Sequence, residues 1–179
     1  SSLQKLTIGK GLSGIPDMAF ANCEKLTAVE FPVNITYIGV SAFNETGLTE
    51  VDIPDTVTSL GDSAFANCKS LQTVNIGSGV SYIAIGAFAC CDLQTVTIEG
   101  NVETIGAYAF SSNENLASVD LPNTVTEIEY GAFRTCGNLM DIEIPDAVEA
   151  IGGSVFDSLN YGGTAWYDDQ PDGVVNARN

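Results

Sequence analysis

The sequence contains no histidine, and this absence excludes several classes of chemistry. Ser/His/Asp and Cys/His sites need an imidazole to take the proton of the nucleophile, and the usual zinc sites also draw on histidine. No Gly-rich phosphate loop follows a strand and opens a helix. Carboxylate pairs arise by chance among 23 acidic residues, so they do not identify a glycosidase. We therefore expect neither enzyme activity nor a cofactor.

Basic residues are also scarce. Six Lys and Arg stand against 23 Asp and Glu, which gives a formal net charge of −17. A chain this acidic repels phosphate backbones and anionic lipids, so we expect no nucleic-acid partner and no binding to membrane surfaces. No apolar run approaches the ~20 residues that a membrane-spanning helix needs, so we also expect no membrane insertion. Cationic partners remain compatible with the charge.

What the sequence has in abundance is an internal repeat. Seven phenylalanines recur at intervals of 22 or 23 residues, at Phe20, Phe43, Phe65, Phe88, Phe110, Phe133 and Phe156. An Ile or Leu stands five residues before each of them, and another aliphatic residue stands three positions earlier. A fixed period of this length indicates a solenoid, because one short unit buries its apolar face only by stacking on its neighbours.

Each unit divides into three parts. A Leu-x-x-Val-x-Ile phrase alternates apolar and polar residues at its end, which predicts a short strand. A second extended phrase often ends in glycine, where we expect a positive φ; these glycines are Gly39, Gly61, Gly106 and Gly152. An Ala-Phe-x-x-Cys phrase follows, and its i, i+3 spacing predicts one or two helical turns. The prediction is an α/β solenoid of seven coils, with a parallel sheet on one face and short helical turns on the other.

The cysteines follow the same period. Their number, five, is odd, which argues against a disulfide framework. The slot three residues after each Phe holds Cys23, Thr46, Cys68, Cys91, Asn113, Cys136 and Leu159. Such a slot predicts a small, semi-buried packing position in which cysteine acts as a compact hydrophobe. A bridge between Cys68 and Cys91 in neighbouring coils stays open, and Cys90 is expected to be exposed.

The whole unit, Leu-x-x-Val-x-Ile-Pro-x-x-Val-x-x-Ile-Gly-x-x-Ala-Phe-x-x-Cys, resembles the leucine-rich repeat of BspA-like bacterial surface proteins, also called the Treponema-type repeat. The best copies are residues 48–68 and 116–136, and the resemblance covers about residues 3–159. It implies exported, cell-envelope proteins of host-associated bacteria that are regarded as adhesin-like. It brings no catalytic residues. An extracellular or cell-surface location is therefore expected.

We divide the chain into a leucine-rich repeat solenoid over residues 1–159 and a C-terminal cap, or the start of a following segment, over residues 160–179. Stacked coils leave an apolar end that must be covered, and Trp166 and Tyr167 are suited to cover it. Because a repeat phrase is already running at Leu3, the chain is expected to be a piece or a processed form of a longer protein.

The outward positions of the first strand form two columns along the predicted sheet. They supply the candidate partner-binding residues Glu50, Asp52, Thr73, Asn75, Thr95, Thr97, Ser118, Asp120, Asp141 and Glu143. One interpretation is a solvated face of β-favouring threonines and soluble acids. The other is a partner surface that hydrogen-bonds at its centre and attracts basic groups at its acidic ends. A calcium site on this face and an aromatic surface near Tyr37 and Tyr82 are weaker candidates.

Three functions follow from these patterns. The first is a monomeric, non-catalytic interaction module that binds a protein or glycan on host or neighbouring cells. The second is a structural spacer that presents another domain. The third is a carbohydrate-active β-helix enzyme, which would have strands on all three sides of the coil and carboxylates converging in a groove.

Overall fold

The computed structural model describes residues 1–157, and each repeat in it contributes two short strands. The first strand of each unit comes from the end of the Leu-x-x-Val-x-Ile phrase, as its alternation predicts. These first strands are Lys5–Thr7 (β1), Ala28–Glu30 (β3), Glu50–Ile53 (β5), Thr73–Ile76 (β7), Thr95–Ile98 (β9), Ser118–Val119 (β11) and Asp141–Ile142 (β13). The second strands are Gly14–Ile15 (β2), Tyr37–Ile38 (β4), Ser59–Leu60 (β6), Tyr82–Ile83 (β8), Thr104–Ile105 (β10), Glu127–Ile128 (β12) and Ala150–Ile151 (β14).

The strands form two parallel faces along the solenoid. Odd-numbered strands pair as β1-β3, β5-β7-β9 and β11-β13, and even-numbered strands pair as β2-β4-β6 and β8-β10-β12-β14. Equivalent repeat positions face one another, as Val51, Val74 and Val96 do. From β1 to β13 the chain completes six turns, and residue 157 is reached before the seventh unit is complete. The expectation of seven coils was therefore wrong: the described part is a solenoid of about six turns.

The predicted helical turns are also wrong, because no helix forms in residues 1–157. The Ala-Phe-x-x-Cys segment consists of successive tight turns, with a φ of 52° to 64° two residues before the Phe and again two residues after it. Successive amides in this segment alternate between two kinds of acceptor. One amide donates to a carbonyl of its own turn, and the other donates to a carbonyl of the next coil. Ala42 N donates to Gly39 O at 3.2 Å, whereas Phe43 N donates to Ala64 O at 2.8 Å. Each described coil therefore consists of strands and turns, since residues with a left-handed φ interrupt any helix.

The recurring phenylalanines form one stack along the core. Successive ring centroids lie 5.2 to 5.9 Å apart, and the ring planes differ by at most 18°. The five central rings are buried, whereas Phe20 and Phe156 at the two ends are half-buried. Offset stacking adds to the area that each ring buries, so this column holds the coils in register.

In five units the slot three residues after the Phe holds a buried hydrogen-bond donor. The thiols of Cys68, Cys91 and Cys136 each donate to the carbonyl of the stacked Phe in the preceding coil at 3.2 Å. Asn113 Nδ2 makes the equivalent bond at 2.9 Å, and Thr46 Oγ1 donates to the Phe carbonyl of its own coil at 3.0 Å. All five cysteines are free, so Cys68 and Cys91 are not bridged. The slot is small and buried as predicted, but its residue types share a donor and not only a size.

The glycines that close the second phrase have a different role from the one expected. Gly39, Gly61 and Gly106 do not adopt the positive φ that was predicted for them. Instead, a Cβ on Gly61 would lie 2.4 Å from Val40 N, and one on Gly106 would lie 2.5 Å from Ile83 O. Glycine is therefore favoured here by the close approach of the preceding coil's backbone.

Thiol reactivity should follow burial. Burial raises the pKa of Cys136 to about 11, and interaction with the Cys68 thiol, together with burial, raises the pKa of Cys91. At pH 8, roughly one Cys136 thiol in a thousand would be the reactive thiolate. We expect the half-buried Cys23 and Cys90 to be alkylated quickly and the three buried thiols to react only on unfolding. Equal labelling rates for all five in mass-spectrometric time courses would contradict this.

The raised pKa of Cys136 also determines the direction in which stability changes with pH. The folded-state pKa of Cys136 lies above that of an unfolded thiol, which is about 8.5. The contribution of this thiol to the free energy of unfolding is therefore complete below about pH 8.5. It is lost as the pH rises toward the pKa of the thiol in the folded state. Melting in alkaline buffer should show this loss, and replacing Cys136 with serine, which keeps a donor without that titration, serves as the control.

The predicted cap over residues 160–179, including Trp166 and Tyr167, lies outside the described residues. Within residues 1–157 there is no helix of the length and hydropathy needed to cross a bilayer.

Candidate partner-binding face

The odd-numbered strands bring the predicted columns together. Thr73 of β7 pairs with Glu50 on one side and Thr95 on the other, and Asn75 likewise lies between Asp52 and Thr97. Farther along, Ser118 pairs with Asp141. Asp120 and Glu143 follow the paired Val119 and Ile142 by one residue, just beyond the ends of β11 and β13. Side chains of equivalent repeat positions therefore project from one face at the regular spacing of a parallel sheet.

This face is open to solvent. Eight of the ten candidate residues are exposed, while Thr73 and Asn75 at its centre are half-buried. The inward side chains between them, such as Val51, Val74 and Val119, are buried. Polar and apolar side chains alternate along each short strand, so the polar ones point to solvent and the apolar ones into the core. Residues on the face can therefore contact a partner without disturbing the packing.

Two acids at the N-terminal end of the face, Glu30 and Asp52, have partners within the chain, whereas the exposed Glu50 side chain makes no hydrogen bond or ion pair with another described residue. Lys5 Nζ lies 2.6 Å from Glu30 Oε1, and Thr7 Oγ1 donates to Glu30 Oε2 at 3.2 Å. The Lys5 hydrogen bond and charge hold the pKa of the Glu30 carboxyl below its usual value. Asn75 donates a side-chain hydrogen bond to Asp52. These contacts leave Glu30 and Asp52 less available to a ligand.

The acids at the C-terminal end differ from them. Asp120, Asp141 and Glu143 are exposed, and their side chains make no hydrogen bond or ion pair with another described residue. Like charges on adjacent strands oppose pairing, and β11 and β13 are only two residues long. The sequence predicted acids at both ends, and no described residue neutralises Asp120, Asp141 or Glu143 at the C-terminal end.

The face is shallow. A surface depression marks the break between β3 and β5, and it is lined by Val29, Glu30, Phe31, Asp52, Ile53 and Pro54. Over residues 1–157, no three His, Cys, Asp or Glu come together as a group that could hold a metal ion. The geometry offers a broad contact surface with acidic side chains, a form that suits a macromolecular partner better than an enclosed small molecule.

Sequence reasoning missed part of a second exposed surface. It singled out Tyr37 and Tyr82, which the structure places on β4 and β8 with 42% and 37% exposure. It did not single out Tyr108 and Tyr130, which are 37% and 45% exposed. These two lie two and three residues before their Phe, where most units carry small or acidic residues. The signal that could have identified them is an aromatic residue at a repeat position where most units carry a small or acidic one.

Comparison with known proteins agrees with this architecture. A model of the BspA type leucine rich repeat region matches residues 1–115 and 38–161, in six copies. A leucine-rich repeat protein from Bacteroides ovatus has a similar solved structure, with 30% identity and a TM-score of 0.69. The alignment covers 88% of this chain and 47% of that protein, so this chain spans about half the length of that relative.

Two more solved structures are similar. The leucine rich repeat protein of T. pallidum is 22% identical, with a TM-score of 0.57 over 87% of this chain and 76% of that one. A leucine rich cell surface protein from Faecalibacterium prausnitzii is 25% identical, with a TM-score of 0.46 over 87% and 57% of the two chains. No protein of curated function matches the sequence.

Proposed function

The chain belongs to the BspA-type leucine-rich repeat family, and from this premise we propose that it is a non-catalytic interaction module of an exported bacterial surface protein. It holds a protein or glycan of a host or neighbouring cell against the face formed by the odd-numbered strands. The family and the absence of histidine are both consistent with a non-catalytic role.

The observation that carries this proposal is the unneutralised C-terminal end of the face. Asp120, Asp141 and Glu143 project from adjacent coils beside the hydroxyl groups of Thr97 and Ser118. Hydrogen-bonding groups at the centre supply contacts, while free carboxylates at the end attract a basic partner and raise its rate of encounter. The partner that fits is therefore a protein or glycoprotein with a basic patch.

The enzyme hypothesis loses the feature that would have supported it. A β-helix enzyme was expected to have strands on all three sides of the coil, but each described coil has strands on two sides and turns on the third. The spacer hypothesis makes a distinct prediction, because a spacer would show no binding through either strand face.

A binding screen of the chain against matrix proteins and glycans comes first, followed by kinetics with each ligand found. Replacing Asp120 and Glu143 with lysine should slow association about tenfold at low ionic strength and flatten its salt dependence, because charge steering acts mainly on the association rate. Both side chains are exposed, so the melting temperature should hardly change.

The matched control replaces Glu103 and Glu149 with lysine. These residues are also exposed, but they immediately precede β10 and β14 on the other strand face. The net charge of the two double variants is the same, so any difference reports position. Equal association rates for both variants would place the binding surface elsewhere, and no binding to any ligand would favour the spacer.

A further inference from the structure

A second surface lies on the corner that follows the even-numbered strands. Tyr82, Tyr108 and Tyr130 belong to three consecutive coils and are 37%, 37% and 45% exposed. Ile85, at 44% exposure, lies in the same coil as Tyr82. The three tyrosines stand six, two and three residues before the Phe of their units, in coils about 4.8 Å apart, and are called the tyrosine ridge below.

The rings of the ridge are held in place. Tyr108 and Tyr130 meet edge to face, with centroids 5.4 Å apart and planes at 72°. Each ridge tyrosine also covers a glycine of a following coil. A Cβ on Gly131 would lie 2.8 Å from the Tyr108 ring, and one on Gly106 would lie 2.8 Å from the Tyr82 hydroxyl. Rings that are already ordered lose little conformational entropy when a partner binds.

The segments that carry the ridge are acidic. In no unit do the eight residues that end at the stacked Phe include Lys or Arg. Beside the ridge itself they include Glu127 and Glu129. Glu129 is fixed beside the ridge, because its Oε2 accepts the Ala107 amide at 2.8 Å. Burial and the charges of Glu129, Asp62 and Glu127 raise the pKa of Tyr82.

We propose that the tyrosine ridge, together with Glu127 and Glu129, is a docking surface for an extended protein segment that carries lysine or arginine. The faces of aromatic rings that are left open to solvent attract cations, and Arg is the commoner partner. Carboxylates beside the rings supply charge-assisted hydrogen bonds to the same groups. Charge complementarity selects this occupant, since the segments that carry the ridge contain acids but no Lys or Arg, and the nearby Arg134 lies 3.9 Å from Asp157. The surface is separate from the odd-strand face and goes beyond the function proposed above.

The test uses a synthetic peptide of alternating Arg and Ser and its Lys counterpart, titrated against the full chain by calorimetry. A Glu/Ser peptide and a neutral oligosaccharide serve as comparison ligands. Replacing Tyr108 and Tyr130 with leucine keeps apolar bulk but removes the rings, and it should weaken binding of the Arg peptide about five- to tenfold. Replacing Glu127 and Glu129 with glutamine should weaken it further and reduce its salt dependence.

Tyr37→Leu is the matched control. This tyrosine is 42% exposed on β4, but its neighbours in register are Gly14 and Ser59, with no acid. The Arg peptide should bind this variant as it binds the wild type. Unchanged binding to the Tyr108/Tyr130 variant would overturn the proposal, as would a preference for the oligosaccharide that depends on the same rings. Weakening only in the Asp120/Glu143 lysine variant would place the peptide on the odd-strand face and support the proposed function alone.

Discussion

Replacing Phe88 with alanine is expected to cost about 3 to 5 kcal/mol of unfolding free energy, because it leaves a cavity in the middle of the ring stack. The Phe88 ring is fully buried and stacks on Phe65 at 5.5 Å and on Phe110 at 5.6 Å. Both neighbours lose a contact in the variant. Each coil of a solenoid is stabilised by the coils beside it, so a central loss weakens two interfaces at once.

Denaturant melts with two control variants measure this cost. Phe88→Leu keeps most of the volume and should lose less than the alanine variant. Phe20→Ala removes a half-buried ring that stacks only on Phe43, so it should also cost less than the central replacement. A loss below about 1 kcal/mol for Phe88→Ala would show that the stack is not the interior of the protein.

Replacing Asn113 with alanine is expected to cost about 2 to 4 kcal/mol, because it leaves buried backbone groups without partners. Asn113 is fully buried. Its Nδ2 donates to the carbonyls of Phe88 at 2.9 Å and Phe110 at 2.7 Å, and its Oδ1 accepts the amide of Leu93 at 3.2 Å. Alanine removes these hydrogen bonds, and also a longer one from Nδ2 to Ser111 O at 3.4 Å, and it supplies nothing to replace them.

The other units provide the control for this variant. Thr46 and Cys68 occupy the same slot and donate to a Phe carbonyl. Asn113→Thr and Asn113→Cys should therefore recover part of the loss in the same melts, since each restores one donor. If alanine were as stable as threonine and cysteine at this position, the slot would require only a small residue, as the sequence alone suggested.

The sequence predicted those features that depend only on the period. Phe43, Phe65 and Phe88 recur at one position of the unit, so stacking the units necessarily aligns their rings. The register of Thr73 with Thr95 follows for the same reason. Period and alternation are enough to define the two columns of candidate residues, although they say nothing about what binds there.

Features that depend on distances between coils were not predictable. The i, i+3 spacing of Ala-Phe-x-x-Cys fits a helical turn and two consecutive tight turns equally well. Tight turns form because residues such as Ser41 and Glu45 adopt a left-handed φ. Their amides then donate to carbonyl groups of the next coil. Gly61 is required by contact with the backbone of Val40, which no local pattern encodes. The pairing of Asp52 with Asn75 likewise depends on side-chain conformations.

Carbodiimide labelling of carboxylates, with and without a partner from the binding screen, tests most directly whether the odd-strand face binds. The proposed function predicts that the partner protects Asp120, Asp141 and Glu143, which are exposed and make no ion pair with another described residue. Glu103 and Glu149 on the other strand face should be labelled equally in both states. Protection of Glu103 and Glu149, with unchanged labelling of Asp120, Asp141 and Glu143, would contradict the proposed function.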